Sequence, residues 1–175
     1  MKRYNLKSFI ECSCLCALSI VLQILENYIP FIPSIPGGKL GIANAVVLFI
    51  LYAYSVKYAF VISILKAVVS TLLYGGINAM MYTVAGAFFS VIAMVVFKRH
   101  FGKYLSAIGV SIIGAVFHNF GQVLVSALVL NNIYIFSYLP VLLIISVITG
   151  CVTGLCVIYT LGKYKKDFKI WKSLF

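Results

Sequence analysis

Long apolar stretches separated by short polar segments fill almost the whole chain. A hydrocarbon core about 30 Å thick needs roughly 20 apolar helical residues to cross it, and the apolar runs predict six such helices. They lie at residues 8–29, 40–56, 58–74, 78–97, 105–130 and 138–161. The pattern therefore predicts an all-α, polytopic membrane protein with six transmembrane helices in one bundle and no separate soluble domain.

The composition supports this interpretation. Hydrophobic residues make up 63% of the chain and charged residues only 10%, whereas soluble domains carry about 25% charged residues. The formal net charge is +11, but the basic residues cluster beside the ends of the apolar runs and do not form a basic face. We therefore expect these basic residues to contact the lipid bilayer and not nucleic acid.

The same basic residues predict the orientation of the bundle. If the N-terminus is cytoplasmic, all but two of the 14 Lys and Arg residues fall on the cytoplasmic side. The exceptions are Lys39, on the opposite side, and Lys66, within the third run. The positive-inside rule therefore predicts that both termini are cytoplasmic. The basic and apolar residues of segment 163–175 predict an amphipathic helix that lies on an anionic leaflet.

The connection between the first two runs reads YIPFIPSIPGGK, residues 28–39. Its prolines fix φ and remove backbone donors, and its two glycines permit turns that other residues resist. Pro33, Pro36, Gly37 and Gly38 therefore predict a stiff loop that folds over the outer mouth of the bundle as a gate. A plain connector is the open alternative.

Lys66 is the most informative polar residue, because it lies about midway along the third apolar run. A charged side chain at the bilayer centre costs about 2.5–3.5 kcal/mol on insertion scales, so such a residue usually faces a cavity or a partner. We predict a functional role, with Glu26 or an anionic substrate as the counter-charge. The alternative is that the long side chain reaches an interface.

The fifth run contains GAVFHNFGQ, in which His118 and Gln122 are four residues apart and share one helical face. Together with Asn119 they predict either a ligand contact or hydrogen bonds between helices. When each helix is followed in its predicted direction, most intramembrane polar groups fall at mid-depth or in the outer half. This convergence predicts an outward-facing substrate pocket formed by Glu26, Asn44, Lys66, Asn78, His118, Asn119 and Gln122.

Three segments resemble a known family: PGGKLGIANAVVLFILY (36–52), YTVAGAFFS (82–90) and GAVFHNFGQVLVSALVL (114–130). Over about residues 8–162 the chain is similar to the family named heptaprenyl diphosphate synthase component I or Gx transporter. That family resembles the S-components of energy-coupling-factor (ECF) transporters, six-helix proteins that bind vitamins from outside. The resemblance implies an S-component-like bundle in a bacterial cytoplasmic membrane and adds Lys39 to the predicted substrate-binding residues.

Two functions are consistent with these observations. The first hypothesis is a membrane transport protein that binds a small vitamin-like solute in the outward-facing pocket. Because some relatives are associated with flavin transport, the resemblance makes a flavin the leading candidate and implies ECF coupling and ATPase subunits as partners. The alternative is a membrane accessory subunit, without catalytic residues of its own, of a soluble heptaprenyl or polyprenyl diphosphate synthase.

The chain itself is not predicted to be an enzyme. Prenyl chain elongation holds a diphosphate through Mg²⁺, which prefers carboxylate ligands, but Glu11, Glu26 and Asp167 are far apart in the sequence. Neither a phosphate-binding G-x-x-x-x-G-K-[ST] motif nor a Cys/His metal spacing is present. We therefore predict no catalytic residue, no metal and no resident cofactor, so that a flavin would be only a transported ligand.

Overall fold

A computed structural model describes residues 6–28 and 41–173, and its regular elements there are all helical. In chain order these are α1 (Leu6–Tyr28), α2 (Ile42–Ala53), α3 (Val56–Tyr74), α4 (Gly76–Phe101), α5 (Ala107–Val129), a 3₁₀ helix (Ile133–Tyr138) and α6 (Leu139–Ser173). The prediction of an all-α fold is confirmed.

Five of these helices, α1, α3, α4, α5 and α6, are long and apolar enough to cross a membrane. α2 has only 12 residues, or about 18 Å at 1.5 Å per residue, and is too short for a core of about 30 Å. The predicted span 40–56 is therefore corrected to a shorter helix. Its apolar run reflects burial within the protein, because most of α2 is buried, and a hydropathy pattern does not distinguish protein interior from lipid.

The helices form a ring in the order α1, α3, α4, α5, α6 and α2, and α2 also packs against α3. Leu48 and Ile50 of α2 are among the most deeply buried side chains of the described residues. By contrast, the described parts of α1 and α6 barely meet. α2 therefore fills the space between two helices that do not close over it.

We name the two ends of the bundle after the residues that flank α2. At the Gly41 end, the last residue of α1 lies beside the last residue of α3, and the rings of Tyr28 and Tyr74 are 4.9 Å apart. At the Tyr54 end, the hydroxyl of Tyr54 donates to Glu11 near the start of α1. Under the predicted orientation, the Gly41 end is outside and the Tyr54 end is cytoplasmic.

Both ends of α2 are capped by charged side chains from other helices. Gly41, in the left-handed region at φ +75°, has no side chain to cap the helix; instead the carboxylate of Glu26 accepts from the backbone N–H of Ile42. At the other end, Lys98 Nζ donates to the carbonyl of Leu51 at 2.6 Å. These charges match the helix dipole and satisfy backbone groups that lipid cannot. They explain how a short helix is held inside the bundle.

Close packing of α6 against α5 depends on two glycines. A Cβ added to Gly150 would lie 2.6 Å from Ile112 Cα, and one added to Gly154 would lie 2.6 Å from Ile108 Cα. Small residues at this spacing let two membrane helices approach closely. The α5–α6 wall is therefore tight, unlike the gap between α1 and α6.

α6 has 35 residues and is about 52 Å long at 1.5 Å per residue, well beyond the hydrocarbon core. The predicted amphipathic helix 163–175 is not separate from it, because the backbone continues α6 without a break as far as Ser173. No proline interrupts the segment, and Gly162 alone does not end the helix. The predicted contact of this segment with a leaflet stays a prediction.

Candidate functional site

Polar side chains from five helices enclose a small cavity toward the Gly41 end, which we call the polar cavity. Its volume is about 50 Å³, and α1, α2, α4, α5 and α6 contribute to its wall. The side chains that give it its polar character are Gln23, Glu26, Asn44, Ser90, Ser111, His118, Asn119, Gln122, Thr149 and Thr153. The predicted convergence of polar groups from separate helices is thus present in the fold.

Lys66 lies behind this wall and is 2% exposed. Its Nζ donates to Asn44 Oδ1 at 2.6 Å and to Gln23 Oε1 at 3.1 Å. The alternative that Lys66 reaches an interface is therefore excluded. A buried ammonium is costly unless it is hydrogen-bonded, so the two amides are part of what keeps it inside the bundle.

The ammonium also determines how the two amides are oriented. Lysine has three donors and no acceptor, so the oxygens of Gln23 and Asn44 must face Lys66. Their NH₂ groups are therefore left to donate hydrogen bonds to other partners. Both residues line the polar cavity, as does Gly41. Asn44 Nδ2 lies on the Gly41 side, 3.8 Å from where a Cβ on Gly41 would be. The arrangement favours a cavity occupant that accepts hydrogen bonds.

His118 and Gln122 of α5 line the cavity and pack closely against Gly86 of α4. A Cβ added to Gly86 would lie 2.9 Å from Gln122 Cγ and 3.0 Å from His118 Cε1. Asn119 bonds across to α6 instead, where its Nδ2 donates to Ser146 Oγ at 2.8 Å and to the Leu142 carbonyl at 3.3 Å. Asn119 therefore holds two helices together, which was one of the two open alternatives for this cluster.

The predicted site residues are only partly brought together. Glu26, Asn44, His118, Asn119 and Gln122 line the polar cavity, and Lys66 bonds to its wall. Asn78 does not join them, since it is exposed in the first turn of α4. The position of a residue along a helix predicts its depth in the membrane but not the direction in which its side chain points. Asn78 differs from the prediction for this reason. Lys39, Pro33, Pro36, Gly37 and Gly38 lie outside the described residues.

Several polar residues of the wall were not among the predicted site residues. Gln23 accepts from Lys66, and the hydroxyls of Ser111 and Thr153 are 2.6 Å apart between α5 and α6. Thr149 and Thr153 are four residues apart in an apolar run, a spacing that places them on one helical face. This four-residue spacing is the feature of the sequence that could have predicted a polar face on α6.

Size limits what the polar cavity can hold. Pockets for drug-sized ligands are typically about 300–1,000 Å³, and the polar cavity has about 50 Å³. In this conformation it has room for a few waters or a small ion, but not for a flavin.

A second and larger space lies toward the Tyr54 end, between α1, α2 and α6, and we call it the apolar groove. Its volume is about 620 Å³, and its wall is mostly apolar. Its polar members are Glu11, Tyr54, Thr160 and Tyr164. The hydropathy pattern does not predict this groove, because the groove arises where α1 and α6 fail to close over α2.

The phenol of Tyr54 connects the polar groups of the groove. Its hydroxyl donates to Glu11 Oε2 at 2.7 Å and accepts from the Tyr164 hydroxyl at 3.5 Å. Burial raises the pKa of Tyr54 above its ordinary value, and the hydrogen bonds to Tyr164 and Glu11 raise it further. Tyr54 therefore stays protonated and remains a donor to the carboxylate.

A family model described as heptaprenyl diphosphate synthase component I matches residues 15–160. The chain belongs to this family. The resemblance seen in the sequence is thereby confirmed, and membership of a component I family supports the prediction that the chain is not itself an enzyme. The relation to ECF S-components stays a prediction. No curated protein and no solved structure matches the chain.

The region shared with the component I family contains one of the two sites completely. Every residue that lines the polar cavity lies within residues 15–160. The apolar groove extends beyond it, because Glu11 and Tyr164 at its polar end lie outside the match. Among the described residues, no three His, Cys, Asp or Glu side chains form a group that could hold a metal ion.

Proposed function

We propose that this protein is a membrane accessory subunit that works beside a soluble polyprenyl diphosphate synthase. The observation that carries the proposal is the match to the component I family over most of the chain. The distribution of acidic residues supports it, because Glu11 and Glu26 lie near opposite ends of α1. A diphosphate held through Mg²⁺ needs several carboxylates close together, so the chemistry is left to the partner.

The Tyr54 end supplies a surface on which such a partner can dock. Lys57, Arg99, Lys103 and Lys163 are exposed there, where α3 and α5 begin and α4 and the membrane part of α6 end. Under the predicted orientation this basic surface faces the cytoplasm. It would attract an acidic protein surface and the anionic substrates of a synthase, an effect that added salt weakens.

Copurification with a soluble polyprenyl diphosphate synthase from the same cell tests this proposal. We expect a complex that changes the length of the prenyl product and that weakens when Lys57→Gln and Lys103→Gln are combined. Asn78→Asp is the control, because it also lowers the net charge but lies at the Gly41 end. A synthase that neither binds the protein nor changes its products in the protein's presence would contradict the accessory role.

A second candidate function, uptake of a small solute, is supported by Lys66 and its two amide acceptors beside the polar cavity. The cavity lies toward the Gly41 end, which is the outer end under the predicted orientation. The cavity volume favours a solute of a few heavy atoms that accepts hydrogen bonds; a flavin would require the helices to separate. ECF coupling subunits remain the partners that the family resemblance implies for this function.

Equilibrium binding to the purified protein distinguishes the two candidates. For solute uptake, we expect saturable binding of one member of a panel of small anions, flavins and thiamin-like compounds, and loss of that binding in Lys66→Met. Lys57→Met, which removes an exposed lysine at the other end, is the matched control. Absence of saturable binding, or equal binding by both variants, would argue against a solute site at Lys66.

A further inference from the structure

The apolar groove has the shape of a site for one hydrocarbon chain. Leu18 of α1 and Phe49 of α2 form part of its wall, and Val157 lies on the α6 side. Its volume of about 620 Å³ falls within the range of about 300–1,000 Å³ that ligand pockets usually have. Because α1 and α6 barely meet in the described residues, the groove is open sideways, toward where lipid would lie. A chain can therefore enter from the membrane.

The groove ends in a carboxylate, which distinguishes it from a plain lipid-facing surface. Glu11 Oε2 accepts from Tyr54, and Oε1 lies 4.0 Å from Lys7 Nζ, which is an ion pair beyond hydrogen-bonding distance. The side chain of Glu11 is 34% exposed. Oε1 can therefore accept a hydrogen bond from a molecule whose chain occupies the groove.

The charges at this end select among possible head groups. A phosphate or carboxylate head placed beside Glu11 would meet a like charge in a part-buried site, which is unfavourable because Lys7 is already the ion-pair partner of that carboxylate. An ammonium would compete with Lys7, which already lies near the same carboxylate. A hydroxyl adds a hydrogen bond to the charged oxygen without changing the net charge.

We propose that the apolar groove binds a long-chain alcohol, with the chain between α1, α2 and α6 and the hydroxyl donating to Glu11. The site would discriminate against the same chain with a diphosphate head. This inference does not depend on either function proposed above, since it rests on a different cavity and on residues at the opposite end of α2.

The native cysteines allow a direct test. Cys14 and Cys156 line the groove and are exposed, whereas Cys151 lies on α6 outside it. In nanodiscs of phosphatidylcholine at fixed pH, we expect farnesol to slow alkylation of Cys14 and Cys156 by N-ethylmaleimide and to leave Cys151 unaffected. Farnesyl diphosphate should require about tenfold higher concentration for equal protection, the factor expected for one hydrogen bond to a charged group.

Two variants identify the cause of any protection. Glu11→Gln removes the like charge but keeps an acceptor, so the advantage of farnesol over the diphosphate should fall to about twofold or less. Cys156→Phe fills the groove and should abolish protection of Cys14, whereas the control Cys151→Phe should preserve it. Cys156→Phe tests the site even if the Glu11 variant does not fold.

Three results would overturn the proposal. Equal protection of Cys151 would mean that farnesol only partitions into the bilayer. Equal protection by farnesol and farnesyl diphosphate in the wild-type protein would mean that Glu11 does not select the head group. No protection of Cys14 and Cys156 by farnesol would mean that no alcohol binds there.

Discussion

The two cavities on either side of α2 differ in both size and polarity. The polar cavity is small and its wall is rich in amides and hydroxyls, whereas the apolar groove is more than ten times larger and has polar groups only at one end. Polar groups inside a membrane protein must find partners within the protein, and this requirement draws the surrounding helices together. Apolar walls have no such requirement, because a lipid or ligand chain can cover them.

The two ends of α2 also differ in the charge of the side chain that caps them. Glu26 caps its start beside the polar cavity, and Lys98 of α4 caps its end at the Tyr54 end of the bundle. α2 therefore works as a fixed partition whose two ends are anchored from different helices. Four predictions test this contrast, beginning with the largest expected effect.

Lys66→Met should cause the largest loss of stability. It leaves the oxygens of Gln23 and Asn44 without their ammonium donor, at a cost of about 1–3 kcal/mol for each buried unsatisfied group. We expect a clear fall in the melting temperature of the purified protein. Lys57→Met, at an exposed position, should change it little. Equal melting temperatures for both variants would mean that the buried network does not stabilise the polar cavity.

Gly154→Ala should test the tight wall between α5 and α6. The added Cβ would meet the Ile108 backbone, and such overpacking typically costs about 1–3 kcal/mol. Gly162→Ala is the control on the same helix, since nothing lies within 4 Å of its Cβ. That substitution should stabilise α6 by about 0.5–1 kcal/mol through helix propensity. Thermal unfolding of both variants decides whether their effects have opposite signs.

Glu26→Gln should weaken the start of α2. A carboxylate at a helix N-terminus contributes up to about 2 kcal/mol in a partly buried site, and the amide keeps the acceptor but loses the charge. Amide hydrogen exchange should therefore rise at Ile42 and Ala43 more than at Leu51. Uniform exchange along α2 in the variant would show that the charge is not a local cap.

Cys156→Phe should have the smallest effect on stability. The new ring enters the open groove and not a packed core, so we expect a change within about 0.5 kcal/mol. A matched enlargement, Ala115→Phe in the wall of the polar cavity, should cost several-fold more. If both substitutions destabilise equally, the groove is packed as tightly as the polar cavity and the contrast fails.

Hydropathy and helical spacing predict that several polar groups lie inside the protein, because the bilayer limits where such groups can lie. A lysine midway along an apolar run must face the protein interior, and Lys66 does. His118 and Gln122 share a face because they are four residues apart. Asn78 was different, since it lies near the end of α4, where water replaces lipid and no such constraint applies.

The sequence by itself determined that the chain is all-helical and apolar enough to cross a membrane, and that Lys66, His118 and Gln122 would lie inside the protein. These properties follow from hydropathy and helical periodicity, which are local. Only the tertiary structure decided that α2 stops short, that Glu26 and Lys98 anchor it, and that α1 and α6 leave a groove beside it. Those features depend on how far apart packed helices lie and on the direction each side chain faces, which contacts between distant parts of the chain determine.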